Sequence, residues 1–139
     1  MQRKKRNYLL NQSPFFRLST KRKLANLLGV TLIELKLLEC SDRLYREREI
    51  PKKNGGTRLI ENPRRDLKLV QARIARLLGR ITPPDYLFCP VNGRSYVTNA
   101  ARHIGHRVVR TLDVKKYFPN TPRRRVYWFF YKIMQLHSI

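Results

Sequence analysis

The first regular pattern along the chain is helical. In "STKRKLANLLGVTLIELKLLE", residues 19 to 39, the apolar positions predict two short helices. Thr20 caps the first and Gly29 ends it, while Thr31 caps the second, which carries Leu32, Leu35 and Leu38 at helical spacing. Ala25 followed by Gly29 also suits a helix-turn-helix. Its recognition helix would however carry leucines with Glu34 and Glu39, and acids facing phosphates weaken DNA binding, so a packing pair is the better reading.

The period then changes. "LYREREIPKKNGGTRLIENP" alternates on both sides of Asn54-Gly55, a pair that tolerates positive φ, and predicts a β-hairpin with Lys52, Lys53 and Asn54 near its tip. Arg58 starts the returning strand. Asn62 and Pro63 are expected to open a helix that gathers Leu67, Val70, Ile74, Leu77 and Leu78 on one face. Lys68, Arg73, Arg76 and Arg80 are left largely on another. Thr82, Pro83 and Pro84 form a connector, Asn92-Gly93 a turn, and Ser95 the start of a helix with Tyr96, Asn99, Ala100 and His103 on one side. Arg107 to Val114 reads as a strand, with Val109, Thr111 and Asp113 pointing one way and Val108, Leu112 and Val114 the other. Thr121 is expected to cap a last helix with Pro122 at its first position. In that helix Val126, Tyr127, Trp128, Phe129, Phe130, Ile133, Met134 and Leu136 cover most of the circumference, which predicts an exposed apolar patch.

Charge narrows the partners. The 139 residues carry 31 lysines and arginines against 9 acids, a formal charge of +22 that repels itself unless a polyanion neutralises it. Nucleic acid is the default polyanion and an anionic membrane the competitor. The sequence shows no stretch long enough to span a bilayer and no signal peptide, so a cytoplasmic location and no membrane partner are expected. Cys40 and Cys89 lack CxxC or Cys/His spacing, and His103, His106 and His137 lack that of a metal site or triad.

In so basic a chain the acid in "VVRTLDVKKYFPNTP" stands out. A carboxylate on a buried strand needs compensation, from a bonded arginine or from a cation. The arginine is the ordinary answer. The residues that follow favour the cation: Lys116 and Tyr117 lie in a turn whose amides suit phosphate oxygens, and Phe118 suits the floor under a sugar. Together these look like a polymerase nucleotide site.

The chain resembles the N-terminal part of bacterial retron-type reverse transcriptases. Four blocks in the right order carry the resemblance: "SPFFRLSTKRKLANLLGV", the hairpin "IPKKNGGTRLIENP", "GRSYVTNAARH" with its NAxxH signature, and "TLDVKKYFPNTP". It spans residues 8 to about 130. The resemblance implies an α+β fold: an N-terminal helical region (1–44), fingers (45–106) and an incomplete start of the palm (107–139). Asp113 would then be the catalytic carboxylate and a ligand to magnesium, with the backbone carbonyl of Val114 as a further ligand. The amides of Lys116 and Tyr117 would hold a deoxynucleoside triphosphate, and Phe118 would be the steric gate against a ribose 2′-hydroxyl. Lys53 and Arg58 would clamp the triphosphate from the hairpin, Arg58 through a bidentate fork. Arg94, Asn99 and His103 would touch RNA, or equally form a capping and packing cluster. The implied partners are a structured noncoding RNA serving as template and primer, an effector protein in phage defence, and a second chain bearing the rest of palm and thumb.

The family's YxDD box is missing: no acid follows Asp113 in this sequence. A truncated, frameshifted or split enzyme is therefore expected, one that binds RNA but does not polymerise alone. A noncatalytic RNA-binding module is the rival, and a DNA-binding repressor built on residues 20 to 40 a third reading.

Overall fold

The computed structural model describes residues 7–137, which form helices and one two-stranded sheet, the mixed composition that the periodicities predict. Helix α1 (Lys21–Leu28) starts where the Thr20 hydroxyl accepts from the Lys23 amide at 3.2 Å. It stops at Gly29, whose φ of 73° lies in the left-handed region, with the Val30 amide donating back to the Ala25 carbonyl. Helix α2 (Leu32–Cys40) opens on a reciprocal cap. The Glu34 amide donates to the Thr31 hydroxyl at 3.1 Å, and the Thr31 amide donates to the Glu34 carboxylate at 2.7 Å.

That cap has a pH signature. The Thr31 amide, and secondarily its hydroxyl, hold the Glu34 carboxyl below the usual glutamate range, because both bonds favour the ionised form. The unfolded chain therefore binds more protons as pH falls through that range. The cap's contribution is complete above the ordinary glutamate pKa and is lost as pH drops towards the depressed folded value. Glu34→Gln is expected to flatten this part of the acid-side fall in urea midpoint, followed by circular dichroism; an unchanged slope would remove the cap from the account.

The hairpin pairs β1 (Tyr45–Pro51) with β2 (Thr57–Pro63), antiparallel, with Glu47 opposite Glu61 and Ile50 opposite Arg58. Positive φ falls on Gly55 and Gly56 and not on Asn54. The Lys52 amide donates to the Gly56 carbonyl at 3.0 Å and closes the loop, leaving Lys53 and Asn54 at its tip. Asn62 and Pro63 do not open the next helix, as the sequence suggests. They stay in β2, and the Arg64 amide extends the pairing to the Leu44 carbonyl at 2.9 Å, so α3 (Arg65–Leu78) begins two residues later than expected and without a side-chain cap.

One core joins the first and the last described segments. Phe15, Ala25, Leu28, Leu35, Val70, Leu77 and Met134 are buried together. Tyr8 bridges to Ile81, its amide donating to the Arg80 carbonyl at 3.0 Å, its carbonyl accepting from Thr82 at 2.8 Å and its hydroxyl donating to the Leu77 carbonyl. Of the basic residues expected on the free side of α3, Arg73 is not free. Its Nε donates to the Leu27 carbonyl at 3.0 Å, satisfying a group at the end of α1 that the helix itself leaves open.

Between Thr82 and Trp128 no residue is buried. Helix α4 (Tyr96–Ala101) is capped by Ser95 and ends before His103, which follows in a turn. The strand expected from Arg107 to Val114 does not form. Its β-branched residues lie in an irregular segment with no paired backbone among the described residues, and Leu112 is 97% exposed. Strand propensity measures fit to a neighbouring strand, and no edge is offered here.

Helix α5 (Arg123–Trp128) has Pro122, not Thr121, at its N-cap; the Thr121 hydroxyl donates to the Tyr117 carbonyl at 2.8 Å instead. It runs into a π-helical turn, Phe129–Ile133. The wider turn shifts the helix face. Phe130 meets Phe15 edge-on at 6.2 Å and Met134 reaches the core, so the aromatic tail is only partly uncovered, through Val126, Tyr127 and Trp128.

Candidate functional site

Asp113 stands in the irregular segment, exposed, with neither a hydrogen bond nor an ion pair to any described residue. The ion pairs among the described residues are Lys21–Glu39 and Arg94–Asp85. No arginine partners Asp113 among them, and because the carboxylate is exposed and on no strand, the desolvation expected to call for a compensating charge is absent as well.

The turn behind it is tied from its far side. Asn120 donates through its amide to the Lys116 carbonyl at 2.9 Å and through its side chain to the Lys115 carbonyl at 2.9 Å, and the Thr121 amide reaches the Phe118 carbonyl at 3.1 Å. Carbonyls are consumed on that side. The amides of Lys116 and Tyr117 donate to no described group. Lys116 has φ of 52°, a left-handed conformation that costs a non-glycine residue roughly 1–2 kcal/mol. Alternation of handedness along such a turn points successive N–H groups to one side, the arrangement that receives anions. Phe118 is 85% exposed, its ring against the edge of Tyr117 at 5.3 Å. Nothing in the local sequence signals Asn120 except its ability to bond its own backbone neighbours.

Lys53 and Arg58 lie on the hairpin, exposed, and no hydrogen bond or ion pair links them to the Asp113 turn. Arg94 is the reverse of a free cation. Its guanidinium donates to the Pro84 carbonyl at 2.7 Å, the Leu87 carbonyl at 2.6 Å and the Asp85 carboxylate at 3.2 Å, and sits over the Phe88 ring. It binds the 84–94 loop to itself. Asn99 and His103 are exposed near it in sequence, His103 with its ring against His106 at 6.2 Å.

The hairpin register adds two residues that the linear reading passed over. Arg46 and Arg48 stand on the same face as Arg58, since paired residues share a face and alternate ones follow it. Period-two counting across the paired strands was the signal available.

Sequence comparison finds similarity to reverse transcriptases. Over 80 residues the chain is 44% identical to Retron Mx65 reverse transcriptase of Myxococcus xanthus, covering 55% of this chain and 18% of that protein. It is 34% identical over 84 residues to Retron Se72 reverse transcriptase of Salmonella heidelberg, covering 60% of this chain and 22% of the relative. With Retron Ec48 reverse transcriptase of Escherichia coli it shares 28% identity over 133 residues, 86% of this chain and 33% of that one. The chain is a homologue of the retron reverse transcriptases, as its motifs indicate, and spans between 18% and 33% of the length of these relatives. No family model and no solved structure matches it.

Proposed function

We propose that these residues are the fingers and the start of the palm of a retron-type RNA-directed DNA polymerase. The intact enzyme would extend DNA on a structured noncoding RNA from deoxynucleoside triphosphates and would serve phage defence with an effector protein. One observation carries the reading. In the turn that follows Asp113, the amides of Lys116 and Tyr117 donate to no described group, while the exposed Asp113 carboxylate, like most acids of the chain, has no cationic partner among the described residues. Homology to reverse transcriptases supports it.

Magnesium is the cofactor this reading implies, and the residues present do not complete its site. Among the described residues no three His, Cys, Asp or Glu side chains come together. Asp113 and the Val114 carbonyl offer at most three oxygens, two of them from one carboxylate, too few for an octahedral ion that dehydrates reluctantly, let alone for two ions. On the proposed reading the missing carboxylates come from polypeptide outside these residues. What this chain contributes is positioning. The turn amides and the Lys53 and Arg58 cations hold the triphosphate, and the Phe118 ring excludes a ribose 2′-hydroxyl by occupying its place.

The incomplete donor set also favours the second reading, a noncatalytic RNA-binding module. Both readings require that the purified chain shift a structured RNA in a gel at low salt and incorporate no deoxynucleotide with magnesium present. Failure to bind RNA overturns both. Incorporation by the chain alone overturns the account of the missing carboxylates.

A further inference from the structure

The hairpin sorts its charges by face. Pairing puts Arg46 opposite Asn62, Arg48 opposite Ile60 and Arg58 opposite Ile50, all on one side. Glu47 opposite Glu61, and Glu49 opposite Leu59, occupy the other, together with Tyr45. The Tyr45 hydroxyl accepts from the Gln71 side chain at 3.1 Å, so the glutamate side meets α3 at the base of the hairpin. None of these six charged residues has an ion-pair partner among the described residues.

Such sorting is unfavourable for the isolated ribbon. Like charges directly opposite each other on a strand pair destabilise it, and Glu47 and Glu61 are such a pair. Interleaving the signs would relieve both faces. The two isoleucines on the arginine side give the long stems apolar surface to lie along, which leaves the guanidinium groups extended into water. Arg46 and Arg48 are about 6.8 Å apart along the strand, and Arg58 continues the row diagonally towards the tip. That is the order of separation of successive phosphates in an extended strand.

We propose that the hairpin is a one-sided phosphate-binding ribbon. Arg46 and Arg48 take backbone phosphates of an RNA strand on the face that carries Arg58, and Glu47, Glu49 and Glu61 deny the strand the opposite face. The inference rests on the RNA-binding reading above and adds to it the surface, the residues and the side. Arginine suits the task because its planar fork meets phosphate oxygens two at a time.

The test is binding of a 20-nucleotide oligouridylate by fluorescence anisotropy across a salt series. The full chain is compared with Arg46→Gln/Arg48→Gln and with Arg22→Gln/Lys36→Gln, which removes the same charge from exposed positions on α1 and α2. Each lost phosphate contact on a single strand lowers the slope of log affinity against log salt by about 0.7. The hairpin variant is expected to lose about 1.4 from the slope and roughly tenfold in affinity at low salt, and the control to lose little of either. Circular dichroism checks that all three are folded. Equal loss in the control reduces the effect to net charge and overturns the proposal, as does a hairpin variant that keeps the wild-type slope. If the hairpin variant instead loses binding to phosphatidylserine vesicles while keeping oligouridylate, the face belongs to a lipid surface and the proposal fails. A wild-type chain that does not bind oligouridylate overturns this proposal and the RNA-binding reading together, whereas wild-type binding with an unaffected hairpin variant overturns this one alone.

Discussion

Asp113→Asn is expected to lower DNA synthesis by about a thousandfold or more, equivalent to about 4 kcal/mol of activation free energy, when this chain works with the polypeptide that supplies the remaining carboxylates. The substitution keeps the shape and removes the charge. Because Asp113 is exposed and bonded to no described group, no fold stability is at stake, so the loss would belong to chemistry alone. RNA affinity should hold or rise slightly, since one negative charge leaves a basic surface. Primer extension and gel shift on the same preparation separate the two effects. Equal extension by wild type and variant would remove Asp113 from the reaction, and parallel loss of RNA binding would recast it as structural.

What the sequence made legible was local. Thr20, Gly29, Thr31 and Ser95 each do at a helix end what their side chains or missing Cβ predict, because caps depend on residues three or four apart. The hairpin followed from alternation for the same reason. Several failures are cases where a distant partner decides, although Thr121, expected to cap α5, is taken by a carbonyl only four residues away. Residues 107 to 114 have the composition of a strand and find no strand to pair with. Arg73 reads as a solvated cation and is claimed by a carbonyl 46 residues away. Pro63 looks like a helix opener and is held in β2 by pairing with Tyr45. The candidate site divides in the same way. The turn of Lys116 and Tyr117, whose amides donate to no described group, belongs to a short stretch, "TLDVKKYFPNTP", whereas the absence of a described cationic partner for Asp113 and the side of the hairpin on which Arg58 finds company required the fold.

The tail is where distant packing matters most, and Met134→Ala measures it. The linear pattern predicts an apolar helix with no surface to cover it. Instead the π-helical turn rotates Phe130 onto Phe15 and buries Met134 completely, at 0% exposure. Residue 17 fastens the arrangement: its amide donates to the Met134 carbonyl at 2.9 Å, and its guanidinium to the Gln135 side chain at 2.7 Å. Removing a buried methionine side chain costs about 2–5 kcal/mol, a large share of the 5–15 kcal/mol that holds a typical domain folded. Urea denaturation followed by circular dichroism should therefore show a midpoint far below wild type. Leu112→Ala, at an exposed position in the irregular segment, should change stability by less than about 0.5 kcal/mol. Hydrophobicity alone does not separate the two positions; burial does. If Met134→Ala proved as harmless as Leu112→Ala, the tail would be an overhang, and residues 8 to 18 would have to close the core without it.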